Sequence, residues 1–310
     1  MTAWLKRLST KQRLLLAGGI YLGITIILFA VAGSAGRNNA FKPQDEFKLD
    51  PWISIKIGSL DLSINRAVLY LFLGAALTTG TMIWIARRME RRPNLVQTAV
   101  EAAYGLMRNN ITEGNMSHRM AVKWFTFVGT LFLFIWFSNM LGYIPLPTSH
   151  EDLHIGSISI PAFAIYAATA NISVTLVLTL VVWVSYHVEG VRAKGPIKYM
   201  KSWIPAGVEG AARIPIFFIE AISHFMRLIS LSVRLFANIL AGHLLILFMG
   251  GGLVVLLNLA VAGSVVLGLI TGTIAVAFFV LEVGLIATLQ AFIFATLTAI
   301  YLGGAVAESH

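Results

Sequence analysis

The sequence predicts an all-α polytopic membrane protein: about six membrane-embedded helices, the last two long and strongly tilted as a hairpin, plus an interfacial amphipathic helix. Three observations carry this. Of 310 residues, 57% are apolar and only 12% charged, a balance that excludes an ordinary soluble domain and marks a chain with several spans. The apolar residues fall in runs of roughly 20 or more, closed by clusters of Arg, Lys and Pro. The last two runs are longer than an upright helix needs to cross a bilayer. The chain has no cysteine, which excludes disulfides, thiolate metal sites and thiol nucleophiles. A net charge of +9 is a signature of topology rather than of a nucleic-acid partner, because Lys and Arg collect on the cytoplasmic side of membrane proteins.

The first run, Leu14–Ala32, is uncharged and follows Lys6, Arg7, Lys11 and Arg13. It ends in Ala30-Val31-Ala32, which also fits a signal-peptide cleavage site; its length favours an uncleaved anchor helix. Residues 33–66 are expected to form an outer loop, with a short hairpin where Ile53–Ile64 alternates. The second span is Ala67–Ala86, closed by Arg87, Arg88, Arg91 and Arg92. Asn94–Met120 carries Val96, Val100, Ala103, Tyr104 and Met107 at helical spacing, the pattern of an amphipathic helix lying at the interface. The third span, Trp124–Tyr143, has Ser138 and Asn139 near its outer end and is stopped by Pro145 and Pro147.

The segment His150-Glu151-Asp152-Leu153-His154 matches H-E-x-x-H literally, so His150 and His154 are a weak metal candidate. A zinc site of that kind needs both histidines on one helix. Here the string sits beside prolines, so a solvated acidic loop is expected and the match is taken as chance. The fourth span, Ala162–Tyr186, leads to a basic loop with Arg192, Lys194, Lys198, Lys201 and Arg213. With the N-terminus inside, residues 1–13, 87–123 and 187–213 hold sixteen Lys and Arg, against five in 33–66 and none in 144–161. The positive-inside rule therefore places both termini on the cytoplasmic side.

Ile214–Met249 is unbroken after Pro215, which suits a first helical turn. Glu220, Ser223, Arg227, Ser230, Arg234 and Asn238 fall along one side of this helix. At ~1.5 Å per residue it is about 54 Å long, while the hydrocarbon core is about 30 Å thick. It must incline, bend or project. An arginine deep in an apolar segment costs at least ~2.5–3.5 kcal/mol, so Arg234 needs either a partner in the bundle or an ion path beside it. His243 lies about 180° around from Arg234; it is either a proton relay or a satisfied core histidine. After a Gly250-Gly251-Gly252 turn, Leu253–Leu302 carries a single acid, Glu282, and the amide Gln290, with Thr271-Gly272-Thr273 as a candidate break. Residues 1–310 are thus one membrane domain, with an anchor (14–32), an outer loop (33–66), helices and loops (67–213) and a tilted hairpin carrying the polar seam (214–310).

Three stretches carry a family resemblance: Leu231-Ser232-Val233-Arg234-Leu235-Phe236-Ala237-Asn238 continuing to His243, Leu289-Gln290-Ala291-Phe292-Ile293-Phe294-Ala295-Thr296-Leu297, and, more weakly, Asn139-Met140-Leu141-Gly142-Tyr143-Ile144-Pro145. From about residue 70 to the C-terminus the chain resembles subunit a of F-type ATP synthases, the static proton-channel subunit of the membrane sector. The resemblance implies that Arg234 faces the rotating c-subunit ring and separates two aqueous half-channels. It implies that Asn238 lies beside the arginine, that His243 is an entry-side relay, and that Gln290 faces Arg234 from the last helix. Glu220, Ser223 and Ser230 would line the cytoplasmic half-channel. Glu282 corresponds to an acid that other members place seven residues before the glutamine; here the separation is eight, a rotation of about 100°. Gly142 stands where some members have an acid. The implied partners are the c-ring, peripheral-stalk b subunits, the rest of the synthase and membrane lipid, with no nucleic acid and no cofactor. The implied location is a bacterial plasma membrane, or an organelle inner or thylakoid membrane.

Other functions fit less well. There is no G-x-x-x-x-G-K-[ST] loop to hold nucleotide phosphates, so catalysis by this chain alone is not expected. A secondary transporter would show internal repeats, and a metallohydrolase built on His150 would need a third ligand nearby.

Overall fold

The computed structural model describes residues 63–88, 94–144, 167–204, 210–252 and 261–307 continuously, with short pieces within 49–61 and 153–160 and a few isolated positions. The anchor Leu14–Ala32 lies outside the described residues, apart from Gly19 and Gly23. The described residues are helical apart from turns and two short hairpins: β1 (Lys56–Ile57) with β2 (Leu60–Asp61), and β3 (Leu153–Ile155) with β4 (Ile158–Ile160), both antiparallel. Five helical stretches among them are long and apolar enough to cross a membrane. The protein is an integral, multi-pass membrane protein.

Asn65 caps α1 (Arg66–Arg88), its side chain accepting from the Val68 amide at 3.2 Å. Asn94 caps α2 (Leu95–Gly105) in the same way, accepting from Gln97 at 2.8 Å. These side-chain acceptors satisfy amides that have no partner within the helix. α2 runs on as a π-helix, Leu106–Glu113, which buries Met107, Ile111 and Thr112. The amphipathic segment therefore ends at Glu113, and α3 (His118–Leu141) begins six residues before the span expected at Trp124.

α4 (Ile172–Lys194) starts ten residues after the expected Ala162 and extends past Tyr186. Its start is set by Asn171, whose side chain accepts from Ser173 at 2.8 Å. Its end is set by Gly195 (φ 79°), followed by Pro196 at the start of α5 (Pro196–Lys201). A positive φ favours glycine, and proline suits a first helical turn. Much of the expected basic loop is thus helix: Arg192 and Lys194 close α4, and Lys198 and Lys201 lie in α5. Lys194 ties these ends to the last helix, donating to the Ala307 carbonyl at 2.6 Å.

α6 (Arg213–Leu247) is a 35-residue helix followed by a π-turn, Phe248–Gly252. α7 (Val261–Leu281) is helical straight through Thr271-Gly272-Thr273. Both threonine hydroxyls bond back to carbonyls four residues earlier, Thr271 to Leu267 (2.9 Å) and Thr273 to Leu269 (2.7 Å), and the expected break does not form. The irregularity comes later, as a π-turn at Glu282–Ile286 leading into α8 (Ala287–Val306).

Gly242–Leu281 belongs to one compact unit, together with Met1–Lys48; Leu49–Ala241 with Glu282–His310 makes the other. The core of the larger unit is built on α8. Ala287, Ala291, Ala295 and Ala299 recur every four residues and are fully buried. Small residues on one face let helices approach closely, the way spans pack when lipid offers no hydrophobic drive between them. Against α8 lie Val128, Leu131 and Ile135 of α3, Val182 and Tyr186 of α4, and Leu231 and Leu235 of α6.

Candidate functional site

α6 divides its surface by chemistry. Leu231, Leu235 and Ile239, at spacings of four, are buried. Ser230, Arg234 and Asn238, one residue earlier each time, are exposed. The seam read from the sequence therefore points away from the chain's own core over this stretch. The Arg234 guanidinium makes no hydrogen bond or ion pair among the described residues. Gln290 of α8 is buried, 5% exposed. His243 is half-buried and lies in the smaller unit.

Lower on α6, Glu220, Ser223 and Arg227 are half-buried at the edge of the core. Arg227 Nη2 donates to Glu220 Oε1 at 3.0 Å, and its guanidinium lies over the Tyr301 ring at 5.5 Å. His224, which periodicity did not single out, is buried one turn after Glu220. Its Nε2 is 4.0 Å from the same carboxylate oxygen. Its Nδ1 is 3.0 Å from the Tyr186 hydroxyl, and Trp183 Nε1 donates to its backbone carbonyl at 3.1 Å. His187 donates from Nδ1 to the Trp183 carbonyl at 2.8 Å, and its Nε2 is buried with no partner among the described residues. Trp203 lies against His224 with its ring tilted by 38°, ring centroids 4.5 Å apart. Nearby, burial pushes the Tyr199 hydroxyl up from the usual phenol range. The available signal for His224 was its place four residues after Glu220, where side chains of a helix meet.

A second polar cluster surrounds the π-turn. Glu282 is 5% exposed and accepts from the Tyr143 hydroxyl at 2.8 Å. Asn139 accepts from Thr169 (2.7 Å) and donates to the Ala287 carbonyl (3.1 Å). Trp136 Nε1 donates to Thr288 Oγ1 at 3.1 Å. The π-turn alters the helical arithmetic for Glu282. Closing each turn with i→i+5 bonds takes up one residue more than an α-turn. Eight residues then carry about seven residues' worth of rotation, and Glu282 falls about 20° from the direction of Gln290. The spacing of eight does not turn the acid away.

The metal candidate does not assemble in the form its motif requires. His154 sits in β3, opposite Ser159, so its backbone is extended rather than helical; His150 lies outside the described residues. The acidic loop expected at 150–154 is in part this hairpin. Among the described residues no group of three or more His, Cys, Asp or Glu is placed to hold a metal.

Comparison with known proteins gives a consistent result. The family model for the ATP synthase A chain matches residues 68–303. Relatives called ATP synthase subunit a include one from Rubrobacter xylanophilus, 34% identical over 252 residues that cover 81% of this chain and 87% of the relative. Another, from Parvibaculum lavamentivorans, is 33% identical over 290 residues, 90% of this chain and 98% of the relative. A third, from Paramagnetospirillum magneticum, is 33% identical over 272 residues, 85% and 98% of the two chains.

Proposed function

The chain belongs to the ATP synthase A chain family, and from that premise we propose that it is the proton-translocating stator subunit of an F-type ATP synthase. In this reading it forms two half-channels against the c-subunit ring and couples proton flow to rotation and ATP synthesis. It is a non-catalytic component of that complex, held with peripheral-stalk b subunits in a bacterial plasma membrane. The last two helical stretches make the tilted hairpin that carries the path.

The observation that carries this reading is the outward exposure of Arg234, Ser230 and Asn238 on a long apolar helix. A cation on the outer face of a spanning helix is expensive unless an anionic partner meets it there. A ring carboxylate passing Arg234 is such a partner, and it gains charge-assisted hydrogen bonds from the guanidinium. Arginine keeps its charge, so it attracts each deprotonated carboxylate without carrying protons, and it blocks a direct leak between the half-channels. Asn238 lies one turn along the same face. Glu220, Ser223 and Ser230 line the cytoplasmic route; His243 and Glu282 serve the entry route, and Gln290 faces the arginine from α8.

The test is ATP-driven acidification of inverted membrane vesicles carrying the whole complex, wild type against Arg234→Gln. Pumping is expected to vanish while the complex still assembles. Unchanged pumping in an assembled variant would sink the assignment of Arg234. A chain that never joins such a complex would favour a self-contained transporter.

A further inference from the structure

Three side chains from one side of α3 grip the start of the last helix. Trp136, Asn139 and Tyr143 are three and four residues apart, so they line up along α3 and the turn that ends it. They reach Thr288, Ala287 and Glu282 in turn, at 3.1, 3.1 and 2.8 Å. Thr169 fixes which way the Asn139 amide faces, because its hydroxyl donates to Oδ1 at 2.7 Å. The three bonds land on the π-turn and on the first two residues after it. Such turns give up regular i→i+4 bonds and occur mostly where function holds them. A buried carboxyl also needs donors, and Glu282 receives one from a neighbouring helix. Gly142, next in sequence to Tyr143, offers no side chain.

We propose that Tyr143 is a positioning residue for Glu282: together with the π-turn it fixes this carboxyl on the side of the last helix that carries Gln290, so that Glu282 takes up and releases the transported proton from one set place. This rests on the stator reading above and adds to it a residue to which the sequence assigned no role. Tyr143 touches no ring carboxylate in this scheme; it acts through Glu282. Phenylalanine at 143 keeps the ring and removes only the hydroxyl.

The experiment measures initial rates of ATP-driven acidification across a pH series in vesicles carrying the whole complex. The variants are Tyr143→Phe, Glu282→Asp and the pair together, with Arg234→Gln alongside. Tyr143→Phe is expected to assemble, to lower the rate about tenfold, the scale of losing a hydrogen bond to a charged group, and to change the pH profile. In the Glu282→Asp background, where the shorter side chain cannot reach the hydroxyl, the same substitution is expected to cost less than about twofold, the mark of two residues acting as one unit. A wild-type rate and pH profile for Tyr143→Phe overturns the proposal, as does a full tenfold loss in both backgrounds. If Tyr143→Phe does not assemble, 3-fluorotyrosine at 143 replaces it, keeping the shape while changing the hydroxyl's strength as a donor; an unchanged rate and profile then overturns the proposal. Persistent pumping by Arg234→Gln would instead defeat the stator reading itself, so the two failures are distinguishable.

Discussion

Glu220 and Arg227 are joined across two turns of α6, with Nη2 of the arginine 3.0 Å from Oε1 of the glutamate. Seven residues is nearly two full turns, so both side chains leave the helix on the same side. Both are half-buried, so solvent weakens the attraction without abolishing it. His224 approaches the same oxygen, and Tyr186 holds the other nitrogen of its ring. The carboxylate at the start of the proposed cytoplasmic route is therefore set between a permanent cation and an imidazole.

The first prediction follows from that pair. Arg227→Gln leaves Glu220 without its cation and also removes a charge stacked on Tyr301. Pumping is expected to fall several-fold, about 1 kcal/mol for a half-exposed ion pair, while Arg227→Lys retains most of it. Initial acidification rates in inverted vesicles check this; equal loss in both variants would mean that packing on Tyr301 matters rather than charge.

The π-turn gives a second prediction. If Glu282–Ile286 takes up one extra residue, then deleting Gly284 should let a regular α-helix form with Glu282 still about 20° from Gln290. A Cβ built at Gly284 meets nothing nearby, so its removal strips away no packing. The Gly284 deletion is expected to assemble and pump within a few-fold of wild type. Deleting Thr288 rotates the helix by about 100° and removes the Trp136 bond; it is expected to abolish pumping. Loss of pumping in both deletions would argue against the phase argument.

A third prediction concerns Glu189, a carboxyl of α4 only 4% exposed whose partner is Lys123 of α3. Its second oxygen is buried without a partner among the described residues. Lys123→Met leaves that carboxylate uncompensated. Removing one partner of a fully buried pair costs about 3–5 kcal/mol; with Lys123 half-exposed, about 1–3 kcal/mol is expected. The temperature of half-inactivation of the solubilised complex should drop, and adding Glu189→Gln should restore much of it. A stable single variant would show that the pair contributes little.

Element type was legible where composition is extreme, as in α1, α3 and the long α6, because an apolar run closed by charges has few alternatives in a bilayer. Boundaries were less so: α4 begins where Asn171 caps it, after apolar residues that continue the pattern without a stop. Arg234 and its exposed neighbours could be read from helical phase alone. The π-turn could not, because Glu282–Ile286 contains no residue that marks it and its support comes from Trp136, Asn139 and Tyr143 far earlier in the chain. For the same reason the spacing of eight, read on a straight helix, counted against the place that the resemblance implied for Glu282. His224 went unnoticed because it lies off the polar seam; its place four residues after Glu220 was the one signal, and its partners on α4 are far away in sequence.

The last prediction is a reversal of sign at Gly190. Glycine in a helix interior ordinarily costs about 0.5–1 kcal/mol relative to alanine, so Gly→Ala should stabilise. At Gly190 of α4 an added Cβ would run into the ring of Tyr199, which is buried against it from α5. Forcing a methyl into such a contact typically costs about 1–3 kcal/mol, which exceeds the helical gain. Gly190→Ala is therefore expected to lower the half-inactivation temperature of the solubilised complex. In a Tyr199→Ala background the obstacle is gone, and the same substitution should raise it. A stabilising Gly190→Ala in the wild-type background would mean that α5 shifts to admit the methyl at little cost, and that Lys194, with its bond to Ala307, holds this end of the bundle without help from the Tyr199 contact.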